Sequence, residues 1–250
     1  MSKRKELEVR QSQQQRKQWI QIIVIIAVLA VVIIGGVAIV SRNQTTSSSI
    51  NAALPAPKAV TRELPANAEP NGAAFGPANA PIKIIEFIDY QCPACQAQWS
   101  ANESAILTAL SKSGKVRYEV HPLTFLETRA GTTESTDAAT AALCAADQGK
   151  FWDMHNSIYG NQYDENVGQF SKERLKLMAA GIGLDAASFA TCLDSGAKAD
   201  QLKVISDDAN RLNVQSTPSF VINDKVFTGG QSIDELKKNI ASAIPGATID

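Results

Sequence analysis

The residues best suited to chemistry in this sequence are two cysteines in a C-x-x-C motif, Cys92 and Cys95, which flank Pro93 and Ala94. Residues i and i+3 of a helix lie one turn apart on the same face, so the two sulfurs can meet in a disulfide. Pro93 suits the first helical position, where its missing N–H costs no hydrogen bond. Cys92 would then lie at the helix N-terminus, whose partial positive charge stabilises a thiolate. The thiolate is the attacking species in disulfide exchange, so the motif predicts reversible thiol–disulfide chemistry.

A lone C-x-x-C motif is ambiguous, because half of a zinc site has the same spacing. The only histidines, His121 and His155, do not stand at metal-ligand spacing from each other or from Cys92 and Cys95. We therefore predict no metal site and no bound cofactor.

The elements that must position the cysteines alternate between strands and helices. In chain order we predict a strand at Ile82–Ile88, a helix over residues 92–110, a strand over 115–121, a helical stretch over 134–212, two strands at 220–222 and 225–227, and a helix over 232–244. The near-continuous apolar run Ile82–Ile88 is typical of a central strand that is covered on both faces. Asn223-Asp224 favours a hairpin turn, and Ser232 with Glu235 predicts a capping box.

Four separate pieces of the chain resemble the DsbA-like thiol–disulfide oxidoreductases of the thioredoxin superfamily. They are residues 76–81, 86–95, 148–155 and 217–220, and they follow one another in the family's order. The resemblance implies an α/β thioredoxin fold with an inserted helical subdomain at about residues 127–213.

The resemblance also implies roles for individual residues. Cys92 is the nucleophile and Cys95 is the resolving thiol, against the alternative of a structural cysteine pair. The family carries an acid at the offset of Glu86, which we interpret as the proton acceptor for Cys95. The alternative is a glutamate that reaches solvent at a sheet edge, since burial of a carboxylate without a partner is costly. Thr217 and Pro218 correspond to the cis-proline loop, whose backbone pairs with an extended substrate chain.

The two remaining cysteines, Cys144 and Cys192, both fall within the predicted helical insertion. In an oxidising compartment four cysteines favour a second pair, so we predict a structural disulfide between these two. Closing a loop of about 48 residues would contribute on the order of 4 kcal/mol to stability. The alternative is two buried free cysteines that act as small apolar residues.

The N-terminal part of the sequence predicts a membrane anchor. Residues 22–40 are nineteen consecutive residues without a charge, and at about 1.5 Å per residue they span close to the roughly 30 Å hydrocarbon core. The first twenty residues carry six basic and two acidic side chains, a bias that places the N-terminus in the cytoplasm and the rest outside. The alternative is a cleaved signal peptide, although its apolar core usually has only about 7–15 residues.

These signals divide the 250 residues into four parts. We predict a cytoplasmic basic tail (1–18), a transmembrane signal anchor (19–40), a flexible linker rich in Ser, Thr, Asn, Ala and Pro (41–72), and a thioredoxin-like domain (73–250). Beyond the first twenty residues, 18 basic and 23 acidic side chains leave a net charge of −5. That charge does not favour nucleic-acid binding.

Taken together, these features predict a membrane-anchored, extracytoplasmic oxidoreductase that oxidises protein thiols through Cys92 and Cys95. Its substrates would be reduced secreted or membrane proteins. As the resemblance implies, a quinone-linked membrane protein of the DsbB or vitamin-K-epoxide-reductase type would reoxidise the pair. The alternatives are a disulfide reductase or isomerase on the same scaffold, because sequence does not set the reduction potential, and a non-catalytic metal-binding or adaptor domain.

Overall fold

A computed structural model describes residues 54–65, 70, 72–127 and 132–249 of the protein. Within this part of the chain the strands are β1 (Ala74–Phe75), β2 (Ile82–Ile88), β3 (Val116–Pro122), β4 (Ser219–Ile222) and β5 (Lys225–Thr228). The helices are α1 (Pro93–Gln98), α2 (Ser104–Ser113), α3 (Glu134–Ala146), α4 (Phe151–Gly160), α5 (Lys172–Gly181), α6 (Ala186–Ser195), α7 (Ala199–Arg211) and α8 (Ile233–Ala243). A π-helical turn, Trp99–Glu103, joins α1 to α2.

The strands form one mixed sheet in the order β1-β3-β2-β4-β5. Strand β2 pairs in parallel with β3 and antiparallel with β4, so it lies in the centre of the sheet. This position explains its apolar run, since Ile84, Phe87 and Ile88 are all buried. Because β4 runs antiparallel to β2, the beginning of β4 lies beside the end of β2, with Ser219 opposite Phe87. The sheet therefore brings the residues before β4 to the loop that follows β2.

The active-site helix follows that loop in three parts: α1, the π-helical turn and α2. Helix α1 has Cys92 as its N-cap residue and a proline in its first turn. Helix α2 ends before Gly114, which adopts φ = 61°, a left-handed conformation that glycine accepts without a Cβ clash. The predicted helix over residues 92–110 has the right position but lacked the π turn. Such a turn changes which later side chains face the sheet, and it is frequent at functional sites.

Five helices, α3 to α7, lie between β3 and β4 and form the helical subdomain. Helix α3 is buried along most of its length through alanines and other small residues. A disulfide joins Cys144 on α3 to Cys192 on α6, with a Cα–Cα distance of 5.9 Å. The helical subdomain is therefore cross-linked within itself.

The last three elements follow the local sequence signals closely. Asn223 and Asp224 adopt φ values of 48° and 62° in the turn between β4 and β5, as a tight hairpin turn requires at both central residues. Ser232 accepts a hydrogen bond from the backbone N–H of Glu235, whose carboxylate accepts from the N–H of Ser232. This capping box fixes the start of α8.

Residues 54–65, which we call the N-terminal strap, pack against α4 although they form neither helix nor strand. The Asn161 side chain accepts from the N–H of Lys58 at 2.8 Å and donates to its carbonyl oxygen at 2.7 Å. The Ser157 hydroxyl makes the equivalent pair of contacts with the backbone of Val60, at 3.0 and 3.3 Å. Two side chains of the α4 region thus take the place of a neighbouring strand.

The prediction of a flexible linker over residues 41–72 is therefore wrong for the N-terminal strap. The composition of residues 41–72 as a whole, rich in Ser, Thr, Asn, Ala and Pro, indicated an unstructured segment. The partners for the backbone of the strap, however, come from side chains about 100 residues away. Close packing also requires Gly160, where a Cβ atom would lie only 2.5 Å from Cγ2 of Val60. Sequence composition carries no information about such a long-range fit.

The predicted basic tail and the predicted membrane span at residues 22–40 lie outside the described residues. Within the described part of the chain, no helix combines the length and the apolar character needed to cross a membrane. A compact unit comprises residues 54–250.

Candidate active site

Cys92 and Cys95 lie at the N-terminal end of α1, directly beyond the central strand β2. Cys92 is partly exposed, Cys95 is buried, and no disulfide joins them in this structure. The carbonyl oxygen of Cys92 accepts hydrogen bonds from the N–H groups of Cys95 and Gln96, both at 3.1 Å. The helix therefore starts at Cys92, as the C-P-x-C pattern predicts, and the N–H groups of Ala94 and Cys95 contact the sulfur of Cys92.

The pKa values of the two thiols are shifted in opposite directions. A hydrogen bond from the Cys95 thiol, together with contacts to Thr217 and to the N–H groups of Cys95 and Ala94, lowers the pKa of Cys92 to about 6, although partial burial opposes this shift. Burial raises the pKa of the Cys95 thiol well above its ordinary value, and a thiolate on Cys92 raises it further. At neutral pH the accessible sulfur is therefore mostly ionised, whereas the buried sulfur is protonated.

The loop before β4 closes the other side of the site. Thr217 and Pro218 are joined by a cis peptide bond. The Cys92 thiol donates to the carbonyl oxygen of Thr217 at 3.4 Å. The carbonyl oxygen of Pro218 accepts from the N–H of Gly229 at 2.9 Å, which ties the loop to the end of β5. The structure thus brings together Cys92 and Thr217, which are 125 residues apart in sequence.

Glu86 lies in the middle of β2, and its side chain is buried beneath the site. It accepts a short hydrogen bond from the hydroxyl group of Tyr118 on β3. Burial, followed by the negative charge of Glu103, raises the pKa of Glu86 to about 8, while the bond from Tyr118 acts in the opposite direction. The alternative of a solvent-reaching glutamate at a sheet edge is wrong, because β2 is a central strand.

A second polar cluster holds the loop between β2 and α1. The Asp89 carboxylate accepts hydrogen bonds from the Ser135 hydroxyl at 2.8 Å and from the N–H groups of Gln91 and Leu126 at 2.9 and 3.0 Å. These bonds fix the loop to α3 and to the chain after β3. Asp89 therefore holds the loop that leads to Cys92 in place.

Sequence reasoning missed one group of buried polar residues near the site: Tyr90, His155 and Glu103. His155 contacts Tyr90 and Glu103 through its two ring nitrogens, but the sequence suggested only a test of His155 as a metal ligand. A usable signal existed, because Glu103 follows Cys92 by eleven residues. That spacing is about three turns of a regular helix, which places both residues on one helix face.

Comparison with known proteins accords with this geometry. The family model described as thioredoxin matches residues 68–242. The chain belongs to the thioredoxin family.

Among curated relatives, disulfide bond formation protein D of Bacillus subtilis is 25% identical to this thioredoxin-family chain over 180 residues, which cover 69% of the chain and 77% of that protein. The Na(+)/H(+) antiporter NhaA 1 of Salinispora arenicola is 30% identical over 176 residues, or 70% of this chain. The chain spans only 25% of the length of that antiporter.

Among solved structures, that of oxidised BdbD from Bacillus subtilis is similar, with a TM-score of 0.62 and 25% sequence identity. The similarity covers 76% of this chain and 100% of the BdbD chain. The predicted resemblance to the DsbA-like thiol–disulfide oxidoreductases is confirmed, and with it the thioredoxin-like α/β fold.

Proposed function

We propose that this protein is an extracytoplasmic thiol–disulfide oxidoreductase that oxidises the thiols of secreted or membrane proteins through Cys92 and Cys95. The observation that carries the proposal is the contrast between the two thiols. Cys92 is accessible and its pKa is lowered to about 6, whereas Cys95 is buried and its pKa is raised. A stabilised thiolate favours the reduced form of the pair, so the corresponding disulfide is a strong oxidant.

The reaction begins with the Cys92–Cys95 disulfide. A substrate thiolate attacks Sγ of Cys92, the bond between Cys92 and Cys95 breaks, and Cys95 leaves as a thiolate that takes up a proton. A second substrate thiolate then attacks the substrate sulfur of the mixed disulfide, and Cys92 leaves as a stabilised thiolate. The substrate loses two electrons and gains a disulfide, and the enzyme pair is reduced.

Glu86 supplies and later removes the proton of Cys95 in this scheme. With a pKa raised to about 8, its carboxyl group is protonated at neutral pH, so it can act as a general acid when Cys95 leaves. Glu86 accepts a hydrogen bond from the Tyr118 hydroxyl group, and in this proposal a water molecule would carry the proton between Glu86 and Cys95. When the pair is reoxidised, the same carboxylate receives the proton back.

Thr217 and Pro218 form the substrate-binding edge. The carbonyl oxygen of Thr217 lies within reach of the Cys92 sulfur, where the backbone of an extended substrate would pass. Backbone pairing of this kind gives affinity without a demand for one sequence. It suits an enzyme that acts on many unfolded proteins.

We also propose where the domain is located and which kind of protein reoxidises it. An N-terminal anchor at residues 19–40 would hold the domain outside the cytoplasmic membrane, as the charge pattern of the first twenty residues supports. A quinone-linked membrane protein of the DsbB or vitamin-K-epoxide-reductase type would reoxidise Cys92 and Cys95. The name of the Bacillus subtilis relative, a disulfide bond formation protein, supports the oxidising direction.

The deciding experiment is the reduction potential of the Cys92–Cys95 pair, measured by equilibrating the full-length protein with glutathione buffers. We expect a potential more oxidising than about −180 mV, the value typical of protein disulfide isomerase. A value close to about −270 mV, typical of thioredoxin, would show that the protein is a reductase.

A further inference from the structure

A buried glutamine, Gln98, joins the active-site helix to the chain that follows β5. Gln98 is the last residue of α1. Its Nε2 atom donates to the carbonyl oxygen of Gln231 at 3.1 Å, and its Oε1 atom accepts from the N–H of the same residue at 2.9 Å. Both residues are buried. Because one side chain pairs with both polar groups of one backbone residue, the distance between the two segments has little freedom.

Both sides of this contact are held by further residues. Asn102, in the π-helical turn, donates to Oε1 of Gln98 at 3.0 Å. The Gln231 side chain accepts from the side-chain amide of Asn239 on α8. The backbone also passes close to the glutamine, since a Cβ atom at Gly230 would lie only 3.0 Å from Oε1 of Gln98. The contact between Gln98 and Gln231 is therefore a fixed part of the structure.

The chain after β5 also holds the loop that faces the nucleophile. The N–H of Gly229 donates to the carbonyl oxygen of Pro218 at 2.9 Å. On the other side of that loop, the Cys92 thiol donates to the carbonyl oxygen of Thr217 at 3.4 Å. The contacts thus lead from the active-site helix through the chain after β5 to the loop, and back to the sulfur. Gln98 joins the element that carries Cys92 to the one that supports Pro218.

A second glutamine makes the same kind of contact in a different place. Gln148 accepts from the N–H of Asp185 at 2.8 Å and donates to its carbonyl oxygen at 3.4 Å. That contact joins the end of α3 to the start of α6 in the helical subdomain, and it is less buried than the contact of Gln98. The chemistry is alike in the two cases. Only Gln98 links the two sides of the active site, so its location indicates a role in the reaction.

We propose that Gln98 is a positioning residue that sets the spacing between Cys92 and the Thr217–Pro218 loop, and that this spacing determines how well an extended protein substrate docks. The proposal rests on the proposed function, because it takes the loop as the edge that binds the substrate backbone. A protein thiol reaches Cys92 from a backbone paired with that edge, whereas a small dithiol needs only the sulfur. A misplacement of about 1 Å can cost about 100-fold in rate.

The test compares two reductants of the full-length oxidised protein in single-turnover reactions. One is an unstructured peptide with two cysteines, and the other is dithiothreitol, which has no backbone to pair with the loop. Gln98→Met keeps the length of the side chain but removes both hydrogen bonds to Gln231. We expect its second-order rate constant with the peptide to fall about tenfold and that with dithiothreitol to stay unchanged. The matched control Gln148→Met should change neither rate constant.

An unchanged peptide rate constant in Gln98→Met would overturn the proposal. An equal fall for both reductants would also overturn it, because Gln98 would then serve the chemistry of Cys92 or the fold as a whole. So would an equal loss in the control variant. If Gln98→Met does not fold, Gln98→Asn keeps the amide but is one methylene shorter, and the same selective loss is expected.

The wild-type reactions separate this proposal from the proposed function. If the wild-type protein oxidises the peptide and Gln98→Met shows no selective loss, only the role of Gln98 is refuted. If the wild-type protein does not oxidise the peptide, the proposed function itself is refuted.

Discussion

The protein contains two pairs of cysteines in opposite environments. Cys92 and Cys95 lie where a central strand meets a helix N-terminus, and one of the two sulfurs is accessible and easily ionised. Cys144 and Cys192 join two helices of the helical subdomain and are bonded to each other. The residue type is the same in both pairs. The groups around the sulfur, and the access to it, separate a reactive pair from a structural one.

The reactive pair is also asymmetric within itself. Thr217 and the N–H groups at the start of α1 surround the sulfur of Cys92, whereas Cys95 is buried against the sheet. In the reaction that we propose, this asymmetry makes Cys92 the sulfur that a substrate attacks. The following predictions test the contrast between the two pairs, beginning with the largest expected effect.

Loss of the accessible sulfur should abolish turnover. We expect Cys92→Ser to eliminate oxidation of reduced, unfolded ribonuclease A, because no other sulfur is both exposed and ionised at neutral pH. The double variant Cys144→Ser/Cys192→Ser should still carry out the exchange in each molecule that folds. A folded double variant without exchange activity would show that the two pairs do not have separate roles.

Loss of the subdomain disulfide should reduce stability. Its closed loop spans 48 residues, so Cys144→Ala/Cys192→Ala should lower the free energy of unfolding by about 4 kcal/mol. Urea unfolding followed by circular dichroism measures this change. The control Cys92→Ala, which leaves the subdomain bond in place, should have a much smaller effect. If both variants lost the same free energy of unfolding, the structural role of the Cys144–Cys192 disulfide would be contradicted.

Glu86 should make stability depend on pH. Its pKa is about 8 in the folded protein and 4.5 ordinarily, so the folded state binds the proton more tightly. The contribution of Glu86 to the free energy of unfolding is therefore complete below about pH 4.5 and is lost as the pH rises through about 8. In the oxidised protein, where the active-site thiols do not titrate, Glu86→Gln should remove most of this slope. If stability depends on pH in the same way in the wild-type protein and in Glu86→Gln, the residue with the raised pKa is not Glu86.

Thr217 should have the smallest effect. Its side chain helps to lower the pKa of Cys92, and Thr217→Val removes the hydroxyl group while it keeps the shape and the backbone carbonyl. We expect the midpoint of the pH dependence of Cys92 alkylation to rise by less than about one pH unit. Ser216→Ala, at the neighbouring position, is the control. A larger rise for the control would contradict a specific role of Thr217.

Much of the fold could be predicted because its signals are local. The apolar run of β2, the turn at Asn223-Asp224 and the capping box at Ser232 each depend on neighbouring residues, and all three occur as predicted. The active-site helix also starts at its C-x-x-C motif. In these places local preferences and the tertiary structure agree.

The features that could not be predicted depend on contacts between distant residues. The N-terminal strap is ordered by Asn161 and Ser157, far along the chain. The contact between His155 and Glu103 requires the packing of α4 against the π-helical turn. Strand β1, only two residues long, pairs with β3 and has no pattern of its own. Sequence periodicity reports on single elements and not on such packing.

The most direct test of the account is the titration of Cys92 in the reduced full-length protein. Thiolate absorbance in the ultraviolet, followed against pH with Cys92→Ser as the blank, isolates this sulfur. We predict a midpoint near 6, because the Cys95 thiol and the N–H groups at the helix N-terminus stabilise the thiolate. A midpoint near the ordinary value of about 8.5 would contradict the account, because Cys92 would then have no more acidity than any exposed cysteine.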